Sequence, residues 1–284
     1  MAYSNNPLGV MQGRLLPKYQ GRYQAHPVGY WQDEFAVAKQ FGLDCIEFIL
    51  DYNDAASNPL LRPDGAGEIS RISAATGVKV QTVCADYFME APLHHADAAV
   101  AAQSRDVLSR LLRNGRALGI SDIVIPCVDQ SSFPDDAARD RFVAALGALL
   151  PEAEAAGINL SLETDLAPAP FAALLARLDS PRVTVNYDIG NSAALGFDPA
   201  EEIARYGKRI SDIHIKDRVL GGGSVVLGTG SAQFERFFAV LAPLDYRGPF
   251  IMQAYRDDEG LAVFRSQLAW VRSRYLAKNL EKTA

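Results

Sequence analysis

The chain has 284 residues, 49% hydrophobic and 22% charged, with 28 Lys and Arg against 34 Asp and Glu for a formal net charge of −6. Such a composition supports a sizeable core and excludes a disordered chain. The acidic balance and the lack of a long basic run argue against a general nucleic-acid or membrane-surface binder.

No apolar run reaches the length of a membrane span, and the first twenty residues lack a secretory h-region. Cys45, Cys84 and Cys127 lie far apart in apolar stretches, as reduced thiols do, so a cytoplasmic protein is expected. In chain order, β-branched and apolar runs mark eight strands, near residues 8–12, 44–50, 78–86, 121–128, 158–164, 182–188, 211–216 and 249–254. Helical period fills the intervals at 31–42, 66–77, 98–119, 135–157, 169–179, 198–207, 232–244 and about 258–278. Gly119 and Gly157 close two of these stretches, where a helix end favours left-handed backbone.

Eight βα units without a Ser/Pro-rich linker predict an α/β TIM (β/α)8 barrel, a single domain over residues 1–284. A doubly wound sheet would alternate in the same way, but an N-terminal glycine fingerprint is lacking. In a barrel the chemistry sits where strands end and βα loops begin.

Polar residues stand at those ends. Gln12 and Arg14 follow strand 1, Glu47 and Asp51 go with strand 2, and Asp86 and Asp129 close strands 3 and 4. Glu163, Asp188, His214 and Gln253 come from strands 5 to 8. Burying such a side chain unpaired costs roughly 1–3 kcal/mol, so each has either a hydrogen-bonded rim place or a function. The last four come from consecutive strands and converge on one side of the mouth. Two carboxylates, an imidazole and a carboxamide oxygen form a mixed N/O shell for Mn2+, Mg2+, Co2+ or Zn2+.

SLETDL (161–166), NYDIGN (186–191), SDIHIKD (211–217), LGTGSAQFERFF (227–238) and YRGPFIMQ (246–253) resemble the strand-5-to-8 motifs of the xylose-isomerase-like TIM barrels. That superfamily holds sugar (phosphate) isomerases, ketose 3-epimerases and, more distantly, endonuclease IV. LGVMQGRL (8–15) is similar to strand 1 of one sugar phosphate isomerase/epimerase branch. The resemblance covers almost the whole chain and bears on fold and metal site more than on substrate. It implies that Glu163, Asp188, His214 and Gln253 occupy the divalent-metal ligand places. The implied activity is a metal-dependent sugar or sugar-phosphate isomerase/epimerase, working by proton transfer through a metal-stabilised enediolate.

Two positions depart from the pattern. Ketose epimerases have a glutamate where this chain has Gln253, and many relatives have a histidine where Asn191 stands. Glutamine has no titratable group near neutral pH and cannot serve as a second acid/base, although its amide can ligate a metal. A one-base 1,2-shift with Glu163 as base or ligand therefore stands beside epimerisation. So does metal-assisted chemistry through Asp86, Asp129, Asp165 or Asp217. The expected catalytic residues are Glu163, Lys216 and Asp217. The expected substrate contacts are Gln12, Arg14, Glu47, Asp86, Asp129, Asn191, Arg218 and Arg256.

Arg14, Lys216, Arg218 and Arg256 fall just past strand ends and suggest an anionic small-molecule sugar. The glycine run 221–223, with Gly228 and Gly230, is expected to form a mobile lid after strand 7. His94 and His95 are placed in a solvated loop, Trp31 and Trp270 in packing. Tyr87, Phe88 and Phe133 are placed as an apolar wall against a sugar face. Three alternatives remain: a metal-dependent lyase or dehydratase on a sugar acid, an endonuclease IV-like phosphodiesterase, and a non-catalytic sugar-binding barrel. The phosphodiesterase needs several histidines where only His214 stands at a strand end, and the acidic charge disfavours nucleic acid. Dimers and tetramers are common in the resembled superfamily, so a homo-oligomer fits the resemblance.

Overall fold

The computed structural model describes residues 3–276. Eight parallel strands close into a barrel in the order β1 (Leu8–Met11), β10 (Phe250–Met252), β7 (Ile210–Ile215), β6 (Val183–Asp188), β5 (Asn159–Thr164), β4 (Asp122–Cys127), β3 (Lys79–Cys84) and β2 (Cys45–Ile49). A short antiparallel hairpin, β8 (Asp217–Arg218) with β9 (Ser224–Val225), stands above β7. The single-domain TIM barrel read from the βα alternation is the observed fold.

Around the sheet run α1 (Asp33–Gln40), α2 (Gly65–Thr76), α3 (Tyr87–Glu90), α4 (Ala98–Leu118), α5 (Asp136–Gly147) and α6 (Leu150–Ala156). They are followed by α7 (Pro168–Ala176), α8 (Ile189–Leu195), α9 (Pro199–Tyr206), α10 (Phe234–Leu241) and α11 (Ala262–Arg274). The single helix expected over 135–157 is two, because Pro151 is tolerated in the first turn of a helix but not in its interior, and it stands in the first turn of α6. Its C-cap Gly157 adopts φ 74°, as the pattern required. The last helix is shorter than expected, and residues 277–278 of that expectation lie outside the described residues. The short helices α3 and α8 were hidden directly behind strand ends.

The strands are buried on both faces, so they read as apolar runs rather than strict alternations. Between sheet and helices lies the large core, with Phe35, Phe48, Phe142, Phe234, Phe237 and Phe264 fully buried, each stabilising by roughly 2–3 kcal/mol. Inside the barrel Met11, Cys45, Ile49, Cys84, Val124 and Ile251 form a second apolar cluster. That inner cluster fills only part of the bore; the rest carries polar side chains. The register of β7 against β6 skips one residue, pairing Val185 with Ile210 and Asn186 with Asp212. The intervening Ser211 turns its hydroxyl to Thr184 Oγ1 at 2.7 Å and Ser161 Oγ at 3.2 Å. After the skip Asp188 pairs with His214 and Ile251 with His214, which sets the floor of the mouth. Among the described residues, no helix is long and apolar enough to cross a membrane.

Candidate active site

At the C-terminal ends of β5, β6 and β7, Glu163, Asp188 and His214 each offer one ligand atom, all within 4.8 Å of one another. All three are buried. His214 Nε2 lies 2.8 Å from Glu47 Oε1, and Glu47 Oε2 accepts from Thr82 Oγ1 at 2.7 Å. With Nε2–H donated downward to Glu47, Nδ1 is left 3.8 Å from Asp188 Oδ2 and without a hydrogen-bond partner. Gln253 Oε1 is likewise buried and unpartnered. Unsatisfied buried polar atoms cost about 1–3 kcal/mol each. An imidazole nitrogen with two carboxylates is a donor set that fits a divalent cation, and Gln253, which lines the same cavity as Glu163, adds an unpartnered amide oxygen.

Asp188 is the N-cap of α8, accepting from Asn191 N at 2.8 Å, and its Oδ2 takes Lys216 Nζ at 3.1 Å. Burial opposes its charge, yet Lys216 and His214 hold its carboxyl well below the usual range. Glu163 behaves oppositely: burial and the neighbouring Asp188 push it up to about 7. Burial also opposes charge on His214, but Glu47, Asp188 and Asp212 around it raise its pKa, so a cation taking Nδ1 displaces a proton. Asn191 ties these groups together. Its Nδ2 donates to Glu163 Oε1 at 2.6 Å, and its Oδ1 accepts from Lys216 Nζ at 3.0 Å and Arg218 Nη1 at 2.9 Å. The glycine of NYDIGN makes room for this: a Cβ on Gly190 would stand 2.7 Å from Lys216 Cγ.

A polar cavity of about 300 Å³ opens above the cluster. Of the expected residues, Asp86, Asp129, Glu163, Asn191, Lys216, Arg218 and Gln253 line it. Asp129 does so in the left-handed region, at φ 51°, a strained conformation for a non-glycine residue. Four expected substrate contacts lie elsewhere. Glu47 sits beneath His214. Gln12 is buried, its Oε1 accepting from Ile49 N at 2.9 Å beside His26 Nδ1 at 3.3 Å. Arg14 turns Nη2 to Gln24 Oε1 at 3.1 Å. Arg256 donates to the carbonyls of Arg14, Asp257 and Gly260 and packs 4.5 Å from the Tyr23 ring centroid. The ring of four rim cations thus reduces to Lys216 and Arg218, joined by Arg22, which also lines the cavity.

Asp217 is a further correction. Its carboxylate is fully buried and accepts from Gly228 N and Gly230 N at 2.9 Å and Ala232 N at 3.0 Å. It organises the glycine segment and does not face the cavity. The segment is accordingly no open lid: β8 pairs with β9, and Gly221 N donates to Ala194 O at 2.8 Å. A Cβ on Gly230 would stand 2.3 Å from Asp217 Oδ1, so the glycine serves close packing here. Tyr87, Phe88 and Phe133 are buried and do not form the cavity wall, where Met89 and Tyr52 stand instead. His94 is also buried, its ring 4.8 Å from that of Phe133. Trp31 packs against Phe48 as expected.

The cavity residues missed by the sequence include Arg22, Gln24, Tyr52 and Asn53. Arg22 and Gln24 ride on the β1–α1 loop, which has no periodic signal; Glu34 of α1 holds its start by accepting from Gly13 N at 2.8 Å and Leu15 N at 3.0 Å.

Residues 35–274 match the model of the xylose isomerase-like TIM barrel family. The chain is 29% identical over 246 residues to the putative L-ribulose-5-phosphate 3-epimerase SgbU of Escherichia coli K12, covering 80% of this chain and 84% of that one. It is 27% identical over an alignment of 294 positions to the L-ribulose-5-phosphate 3-epimerase UlaE of Salmonella paratyphi B, covering 98% of both. The solved 3-keto-D-glucoside 4-epimerase YcjR of Escherichia coli superposes with a TM-score of 0.73 at 18% identity, over 94% of this chain and 99% of that one.

Proposed function

The chain belongs to the xylose isomerase-like TIM barrel family, and within it we propose a divalent-metal-dependent isomerase that epimerises a ketose or ketose phosphate. L-ribulose 5-phosphate is the first substrate to test, being the one named for the two relatives that align along most of the chain. The observation that carries this reading is the Glu163–Asp188–His214 cluster, with Glu163 and Gln253 lining the cavity and His214 Nδ1 and Gln253 Oε1 left unpartnered.

Epimerisation beside a carbonyl removes a carbon-bound proton, stabilises the charge left behind and returns a proton to the other face. A divalent ion held by Glu163, Asp188, His214 Nδ1 and Gln253 Oε1 would supply the Lewis-acid stabilisation of that charge. The chain's own residues supply the rest. Glu163 is placed to take the proton as a carboxylate, which a bound cation would keep ionised, with Asn191 holding its Oε1 in place. Lys216, Arg218 and Arg22 line the cavity and offer positive charge to an anionic group of the sugar. Gln253 carries no exchangeable acid proton, so the return step falls to another titratable group of the cavity, among them Asp86, Asp129 and Lys216.

The test is incubation with Mn2+ and L-ribulose 5-phosphate in D2O, followed by NMR. Loss of the C3 proton signal and appearance of the C3 epimer is the expected result, abolished by chelation and by Glu163→Gln. Absence of both exchange and divalent-metal binding would refute it. Gln253 also favours a second reading, an aldose–ketose 1,2-shift in which one base on one face suffices; an aldose product in the same experiment identifies it.

A further inference from the structure

We propose that Gln24, held by Arg14, is the positioning residue that fixes the Gln253 carboxamide with its oxygen, not its NH2, presented to the metal site. The proposal rests on the reading of Gln253 as a ligand and explains how an amide can fill that place.

An amide side chain has a donor end and an acceptor end of nearly the same shape, so a glutamine ligand works only if something decides which end faces the ion. Here a chain of three contacts decides it. Arg14 can only donate, and its Nη2 lies 3.1 Å from Gln24 Oε1. That fixes Gln24 with its oxygen toward Arg14, and its Nε2 is then available to donate to Asp86 Oδ2 at 3.2 Å. The same Gln24 Oε1 lies 2.8 Å from Gln253 Nε2. Turning the Gln253 amide over would set two carbonyl oxygens against each other at that separation. Gln253 therefore spends its NH2 on Gln24, and its Oε1 is left buried with no protein partner. The backbone is anchored as well, with Gln253 N bonded to Ile215 O at 3.1 Å, next to the strand that carries His214.

Arg14 is held in turn. Arg256 Nε donates to the Arg14 carbonyl at 2.8 Å, and Glu34 accepts from the backbone N–H groups on either side of Arg14. An arginine expected to meet substrate thus acts two residues away from it, through the polarity of a glutamine.

The test is titration of the purified protein with Mn2+ by calorimetry. Gln253→Leu is expected to weaken Mn2+ binding, and Gln24→Met, which removes the acceptor at nearly constant volume, to weaken it by about 10-fold or more, the usual loss when a ligand's supporting partner is removed. The double variant should bind no more weakly than Gln253→Leu alone, because both changes remove one contribution. Arg14→Met supplies an independent arm, with a loss in the same direction, should Gln24→Met not fold. If Gln24→Met binds Mn2+ like the parent while Gln253→Leu is weakened, or if the two losses add, the positioning role is wrong and the ligand reading stands. If Gln253→Leu itself binds like the parent, the ligand reading falls, and the positioning role with it.

Discussion

Replacing Asp217 by alanine removes a buried carboxylate that three backbone N–H groups, from Gly228, Gly230 and Ala232, use as their acceptor. A hydrogen bond to a charged group contributes about 1.5–3 kcal/mol, which would place the sum above 4 kcal/mol. The donors are only part-buried, however, and Gly228 is exposed, so water replaces some of the loss. We expect about 2–4 kcal/mol of destabilisation, and a melting temperature lower by roughly 3–7 °C for a domain of this size. Urea unfolding and differential scanning fluorimetry measure it, and limited proteolysis should show new cleavage between residues 219 and 231. Activity should fall modestly, since Lys216 and Arg218 flank Asp217 and would be less well held. Asp217→Asn should cost less, because one acceptor oxygen remains. The opposite pattern would refute the reasoning: an Asp217→Asn protein with unchanged stability and proteolysis but turnover reduced a thousandfold would make Asp217 a catalytic group.

Glu47→Leu removes the acceptor that fixes His214 Nε2, and Mn2+ affinity should drop by about 10–100-fold in calorimetry. Gly190→Ala places a Cβ 2.7 Å from Lys216 Cγ and 3.0 Å from its carbonyl carbon, so Lys216 must shift, backbone included; a loss in turnover together with about 1–3 kcal/mol of destabilisation in urea unfolding is expected. Burial, with Arg62 nearby, lowers the His26 pKa to about 4 from its ordinary 6.5. The folded state therefore binds this proton less readily than the unfolded one, and the stability concerned is complete above pH 6.5 and lost as pH falls toward 4. The loss is roughly 3 kcal/mol at most; urea midpoints between pH 7 and 4 should fall less steeply in His26→Gln.

Elements buried on both faces were legible because their chemistry is uniform along the strand. β4 reads as DIVIPC and β7 as ISDIHI, and the polar interruptions at strand ends led directly to Glu163, Asp188 and His214. What failed was direction. Arg256 does follow the eighth barrel strand, but three backbone carbonyls and the Tyr23 ring outcompete the cavity for its guanidinium. Asp217 does follow His214 by three residues, but backbone N–H donors claim its carboxylate, and no side-chain pattern advertises such donors. The glycines were misread for a related reason. A cluster of glycines serves mobility or close approach equally well in sequence, and only the 2.3 Å gap between a Gly230 Cβ and Asp217 decides for close approach.

Gln24 was invisible for a different cause: its place depends on the β1–α1 loop, whose course is set from outside by Glu34. The same dependence bears on Gln253, which from sequence alone is a site that has lost a charge. In the fold its amide is oriented by Gln24 and Arg14, residues more than two hundred positions away, with its one unpartnered atom an oxygen. A neutral ligand at that place lowers the negative charge around the ion by one. It should therefore weaken Mn2+ binding relative to Gln253→Glu unless the Gln24 carbonyl, then opposed to a carboxylate oxygen, is forced to turn against Arg14. Direct comparison of the two proteins by calorimetry distinguishes these effects. A Gln253→Glu protein that gains no affinity until Gln24 is also replaced would mean that the amide network, more than the formal charge, controls the site.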